Sequence, residues 1–166
     1  MQVKKSPEKI KKQIECWFLQ SHKNAKEEHD GTELFTLFDL LDDENKDVIR
    51  KSAKLRSHEL PVLILRVRDN QLIINTTERF IRLTHSDIET LEYTDFEQHA
   101  GFYNIREAEQ QDGKPPHVKI NGSIERFGLK KKSGETVEWE VPTGSPGFGF
   151  WSVTKKCELV GRKYLN

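Results

Sequence analysis

A chain of 166 residues is long enough for one domain with a real core and short for two. Hydrophobic residues make up 34% and charged residues 33%, and the formal net charge is zero. That balance excludes an intrinsically disordered chain, which couples low hydrophobicity to high net charge. It also argues against a dedicated nucleic-acid binder, whose affinity comes largely from a basic excess.

The N-terminal segment, residues 1–58, reads as two or three helices. Ser6-Pro7-Glu8 combines a capping hydroxyl, a proline suited to the first helical position and a carboxylate at the positive end of the dipole. Ile10, Ile14, Trp17 and Phe18 then follow at i, i+4, i+7 and i+8. His29-Asp30-Gly31 predicts a break. A second helix is predicted from Thr32, because Leu34, Leu37, Phe38 and Leu41 repeat at helical spacing. The acidic run 42–47 reads as a turn or as a continuation into Val48, Ile49, Ala53 and Leu55. Leu34, Leu41, Val48 and Leu55 hint at a heptad, but Asn45 and Ser52 fall where its seam needs apolar residues.

Residues 61–166 read as antiparallel β structure closed by a helix. Residues 62–67 form an apolar strand, Asp69-Asn70 a tight turn, and Leu72-Ile73-Ile74 the returning strand. Phe80-Ile81-Arg82-Leu83 and residues 88–93 add two more strands, which makes a meander. Residues 95–117 are irregular: 110–116 is a surface loop, and Gly101-Phe102-Tyr103 presents two loop aromatics. Strand signals resume at Val118. Phe127 and Leu129, then Val137, Trp139 and Val141, alternate on either side of a turn at 132–135, which predicts a hairpin with one buried face. The stretch 142–147 reads as a connector, and 151–165 as a final helix weakened by Gly161.

Residues 72–81 (Leu-Ile-Ile-Asn-Thr-Thr-Glu-Arg-Phe-Ile), 85–91 (His-Ser-Asp-Ile-Glu-Thr-Leu) and the hairpin 129–141 resemble the corresponding passages of bacterial pleckstrin-homology-like (GRAM-like) domains. The likeness spans roughly residues 62–165. It implies a partly open barrel, or sandwich, capped by a helix, a scaffold that binds proteins, peptides or lipids and rarely catalyses.

No motif commits the chain to a chemistry. Gly144-Ser145-Pro146-Gly147-Phe148-Gly149 matches neither phosphate-loop spacing, and Pro146 removes an amide donor. The six histidines, His22, His29, His58, His85, His99 and His117, lack metal-ligand spacing. The acidic run lacks the alternation and glycine of a calcium loop. No cofactor is implied. Cys16 and Cys157 read as two buried, unpaired thiols, Trp139 and Trp151 as core residues. With no apolar run after Met1 and none of membrane-spanning length, the chain reads as cytoplasmic.

The leading expectation is therefore a non-catalytic protein-binding module of the bacterial cytoplasm, an immunity protein that blocks a cognate toxin being a special case. Phe102 and Tyr103 are the candidate binding aromatics. Two other classes stay open. One is an enzyme with dispersed residues, with His85 and Asp87 or His99 and Asp95 as the places to look. The other is an anionic-lipid binder using Arg66, Arg68, Lys130, Lys131 and Lys132. The sequence leaves the oligomeric state open, as it does the packing of the N-terminal helices on the β region.

Overall fold

The computed structural model describes residues 4–103 and 123–165. The chain is α+β, with N-terminal helices and two antiparallel sheets. Helix α1 (Pro7–Ser21) forms as its sequence dictates: the Ser6 hydroxyl accepts from the Lys9 amide, and Ile10, Ile14, Trp17 and Phe18 are buried on one face. A four-residue helix α2 (Ala25–Glu28) follows.

The helix predicted from Thr32 does not form. The segment is strand β1 (Phe35–Leu37) followed by a 3-10 turn (Phe38–Leu40). Leu34, Leu37, Phe38 and Leu41 sit at helical spacing, but Phe35 and Leu37 also alternate, and that second pattern wins. Pairing with the next strand in the register Phe35↔Leu65 and Leu37↔Leu63 puts both side chains in the core. The acidic run is a helix start rather than a turn. Helix α3 (Asp43–Ser52) is capped by Asp42, whose carboxylate accepts from the Asn45 amide at 2.8 Å, with Asp43 and Glu44 in its first turn.

The meander forms as expected. Strands β2 (Pro61–Arg68), β3 (Gln71–Thr76), β4 (Arg79–Leu83) and β5 (Ile88–Glu92) join β1 in one sheet, ordered β1-β2-β3-β4-β5. Asn70 takes the left-handed φ of +62° that the β2–β3 turn requires. Over residues 62–65 both faces of this strand are packed against, so Val62-Leu63-Ile64-Leu65 is a continuous apolar run rather than an alternating one. Leu63, Leu65, Ile73 and Phe80 point into the main core, while Ile64, Ile74, Ile81 and Leu83 face α3 in a second, smaller cluster.

The second sheet contains β6 (Phe96–Phe102), β7 (Ile124–Lys131) and β8 (Thr136–Pro142). Strand β6 corrects the expected irregular stretch. Register shifts at Phe96/Gln98 and His99/Gly101 break its period-two pattern, which hides it from sequence inspection. The β7–β8 hairpin is as expected, with Phe127 opposite Trp139 and Leu129 opposite Val137. The predicted loop at 110–116 and the strand start at Val118 lie outside the described residues.

The closing helix begins earlier than expected. Helix α4 (Ser145–Thr154) absorbs the second half of the predicted connector, with Gly144 at its N-cap at φ +82°. Gly147 is there for packing: a β-carbon would stand 1.9 Å from the Pro142 carbonyl oxygen. Helix α5 (Cys157–Val160) and a single π turn (Gly161–Leu165) complete the chain.

Side chains from α1, both sheets, α4 and α5 share the main core. The two sheets do not close into a barrel. Cys157 is buried as expected, its thiol pushed up to about 12 by burial, but Cys16 is exposed on α1. Among the described residues no helix is long and apolar enough to cross a membrane.

Candidate functional site

The outer face of the five-stranded sheet is only partly roofed. Helix α3 is ten residues long, about 15 Å at 1.5 Å per residue, and it lies over one part of that face. Beside it the chain leaves a groove of about 450 Å³. Leu41, Ile49, Ile64, Leu72 and Leu83 supply its apolar surface, and Asn45, Val48 and Ser52 line it from α3. The β2–β3 turn and the end of β4 add Arg66, Arg68, Asp69, Asn70, Thr84 and His85.

Strand geometry explains why both arginines are here. Arg66 is two residues beyond Ile64 and shares its face of β2, while a register shift between Arg66 and Arg68 interrupts the alternation and Arg68 reaches the groove from the end of the strand. Arg66 is half-buried, and its guanidinium donates to the backbone carbonyls of Glu33 and Gly31, the latter at 2.8 Å. Among the described residues it has no carboxylate partner within 4.0 Å, and Asp69, which lines the same groove, pairs with neither arginine. Arg68 meets Glu140 of β8 at 3.0 Å, in an ion pair about half exposed on both sides.

Two large apolar side chains near Arg66 stand in the open. Val48, which lines the groove, is 54% exposed, and Leu34 is 48% exposed. The Leu34 carbonyl accepts from the Arg66 amide at 2.7 Å, just before the Phe35↔Leu65 pair, so its backbone lies opposite Arg66. Among the described residues these are the large hydrophobic side chains that stand exposed.

The other binding residues expected from sequence are elsewhere. Phe102 is 1% exposed and packs against the rings of Phe127, Phe148 and Trp151, so it is a core residue and not a loop anchor. Strand β6 carries it inward. Tyr103 is half-buried, with the Arg126 guanidinium 5.3 Å from its ring centre. Lys130 pairs with Glu97 and Lys131 with Glu135, each at 3.1 Å, while the Lys132 amide donates to Asp95 at the hairpin. Glu140, the partner of Arg68, faces Arg126 in the hairpin register, four residues from Lys130, or about 13 Å along the strand. The expected patch of two arginines and three lysines is therefore not assembled.

The histidines divide by environment. His99 is buried among Phe80, Phe96, Phe127 and Phe150. Its Nε2 lies 2.8 Å from Thr154 Oγ1, whose own proton goes to the Phe150 carbonyl. Nε2 must therefore be the protonated nitrogen, and it leaves Nδ1 buried without a partner. Burial alone holds this imidazole down to about 3. Among the described residues no carboxylate bonds to it, and Asp95 belongs to the β5–β6 turn. His22 stacks on Phe18 at 4.3 Å, and its basicity is lowered chiefly by burial; the His29 ring is 6.2 Å away and its Nδ1 is 4.0 Å from Glu33. His58 and His85 are exposed, the latter at the groove, where Asp87 caps its own strand by accepting from the Ile88 amide. His117 lies outside the described residues. No group of three or more metal-ligating side chains occurs among the described residues.

Trp139 is a core residue, as expected, and its indole donates to Glu89 at 3.0 Å. Sequence reasoning missed Leu34 and Val48 as surface residues because both fitted the apolar repeat of a helical pair. Only the pairing of β1 with β2 replaces that helical pair, and Leu34 is left exposed ahead of the strand.

The chain matches no protein-family model, no curated protein and no solved structure.

Proposed function

We propose that this chain is a non-catalytic protein-binding module whose docking face is the groove between α3 and the outer face of the five-stranded sheet. One observation carries the reading: Val48, 54% exposed, lines the groove that holds Arg66, and the exposed Leu34 stands next to that arginine in the chain pairing, its carbonyl accepting from the Arg66 amide. Apolar side chains exposed singly need no explanation, but two of them near one arginine of a concave surface make the composition of an interface hot spot. A volume of about 450 Å³ takes one or two anchoring side chains of a partner. The resemblance of residues 72–81 to pleckstrin-homology-like domains, scaffolds that bind proteins, points the same way.

The test is a comparison of Val48→Asp and Leu34→Asp with the wild-type protein. A partner captured by the wild-type chain from source lysate is purified and titrated against all three. Each aspartate places a charge where an apolar contact is expected, and binding falls at least about 30-fold, the equivalent of about 2 kcal/mol. Both positions are exposed, so circular dichroism stays native. Undiminished affinity in both folded variants would sink the reading.

A further inference from the structure

We infer that the partner segment seated in this groove carries a carboxylate next to a large apolar side chain. The inference rests on the docking face proposed above and assigns the chemistry of its occupant. The groove combines two demands. Its apolar surface that gains by being covered is Val48, 54% exposed, together with the half-buried Leu72, above the already buried Ile49 and Ile64. Its wall carries the half-buried Arg66, a cation held only by the neutral carbonyls of Gly31 and Glu33.

A guanidinium partly removed from water without a counter-ion is electrostatically unsatisfied, and a carboxylate is the group its planar fork fits best. Two of its five N–H groups are committed to the carbonyls, which leaves three to meet an anion. Those carbonyls also fix its orientation, so little side-chain entropy is lost when an anion arrives. Arg68, which also lines the groove, forms an exposed ion pair with Glu140 that an incoming carboxylate can share or exchange. Asp69 is the acidic group lining the groove, against Arg66, Arg68 and His85. The lining therefore bears net charge +1 with His85 neutral, and more when that exposed imidazole is protonated. An acidic residue flanking an apolar one in a peptide matches both features; a basic or purely apolar segment matches one at most.

The experiment pans a phage-displayed library of random twelve-residue peptides against the immobilised full chain, then measures synthetic copies of selected sequences by fluorescence anisotropy. Selected peptides are expected to share Asp or Glu within three residues of Leu, Ile, Phe or Met. Replacing that acid by its amide should weaken binding at least tenfold, and Arg68→Gln in the protein should weaken it several-fold. Arg68→Gln leaves the Arg66 clasp on the Gly31–Glu33 loop in place, so the outcome does not depend on a variant that disturbs the fold. Peptides that lose binding in Val48→Asp but tolerate the acid-to-amide change overturn the carboxylate assignment and leave the docking face standing. Peptides indifferent to Val48→Asp, or no selected peptide at all, count against both.

Discussion

The two faces of the five-stranded sheet differ in how they are sealed. The inner face sends Leu63, Leu65, Ile73 and Phe80 into a core built with α1, the three-stranded sheet and the C-terminal helices, and each of these residues is fully buried. The outer face has the same apolar character but receives one ten-residue helix, and a groove remains where the roof ends. Strand composition alone does not distinguish these faces; the size of what packs on them does. Apolar surface that a small cover leaves open is where this molecule has capacity for a partner.

Substitutions measure that difference. Phe80 touches Tyr93, Phe96, His99, Trp139 and Phe150 by ring contact inside the sealed core. Phe80→Ala is expected to cost about 3–5 kcal/mol in urea unfolding, because the lost volume becomes an enclosed cavity. Leu83→Ala, at the groove, opens onto existing space and is expected to cost about 2 kcal/mol, the low end for such truncations. Equal costs would erase the distinction between the faces.

His99 gives the sealed side a pH signature. Its folded-state imidazole titrates near 3 against about 6.5 in the unfolded chain, so below pH 6.5 the unfolded state takes up a proton that the folded state refuses. Its contribution is complete above pH 6.5 and disappears as the pH falls towards 3, at up to about 1.4 kcal/mol per pH unit. Wild-type stability minus that of His99→Leu should show this slope between pH 6 and 4; a flat difference would mean the imidazole is hydrated. The smallest folding effect belongs to the open side. Val48→Ala should change stability by less than about 0.5 kcal/mol in the same assay, since its side chain is already 54% exposed.

Much of this architecture was legible in advance, and the failures have physical causes. The α1 face, the meander and the β7–β8 hairpin were readable because cap, periodicity and turn residues agree in each. The β1 segment was misread because five apolar residues fit two periodicities, and only the partner strand decides between them. Strand β6 was missed because its bulges, one at Gly101 with φ +87°, break the alternation. The groove was half legible: Arg66 and Arg68 were flagged for a basic patch that does not assemble, and their real company is Leu34 and Val48 across a strand pair and beneath a helix. Phe102 looked like an exposed anchor because the strand carrying it could not be seen.

The contrast between the two cysteines makes the chain its own reporter. Cys16 stands on the outside of α1, while Cys157 opens α5 with its side chain in the core, where burial suppresses its thiolate. A thiol-specific dye added to the native protein will mark one position at once, which gives a unique spectroscopic handle with no substitution. The second equivalent reacts only when the C-terminal helix lifts away, so its slow uptake clocks that opening in the unmodified molecule.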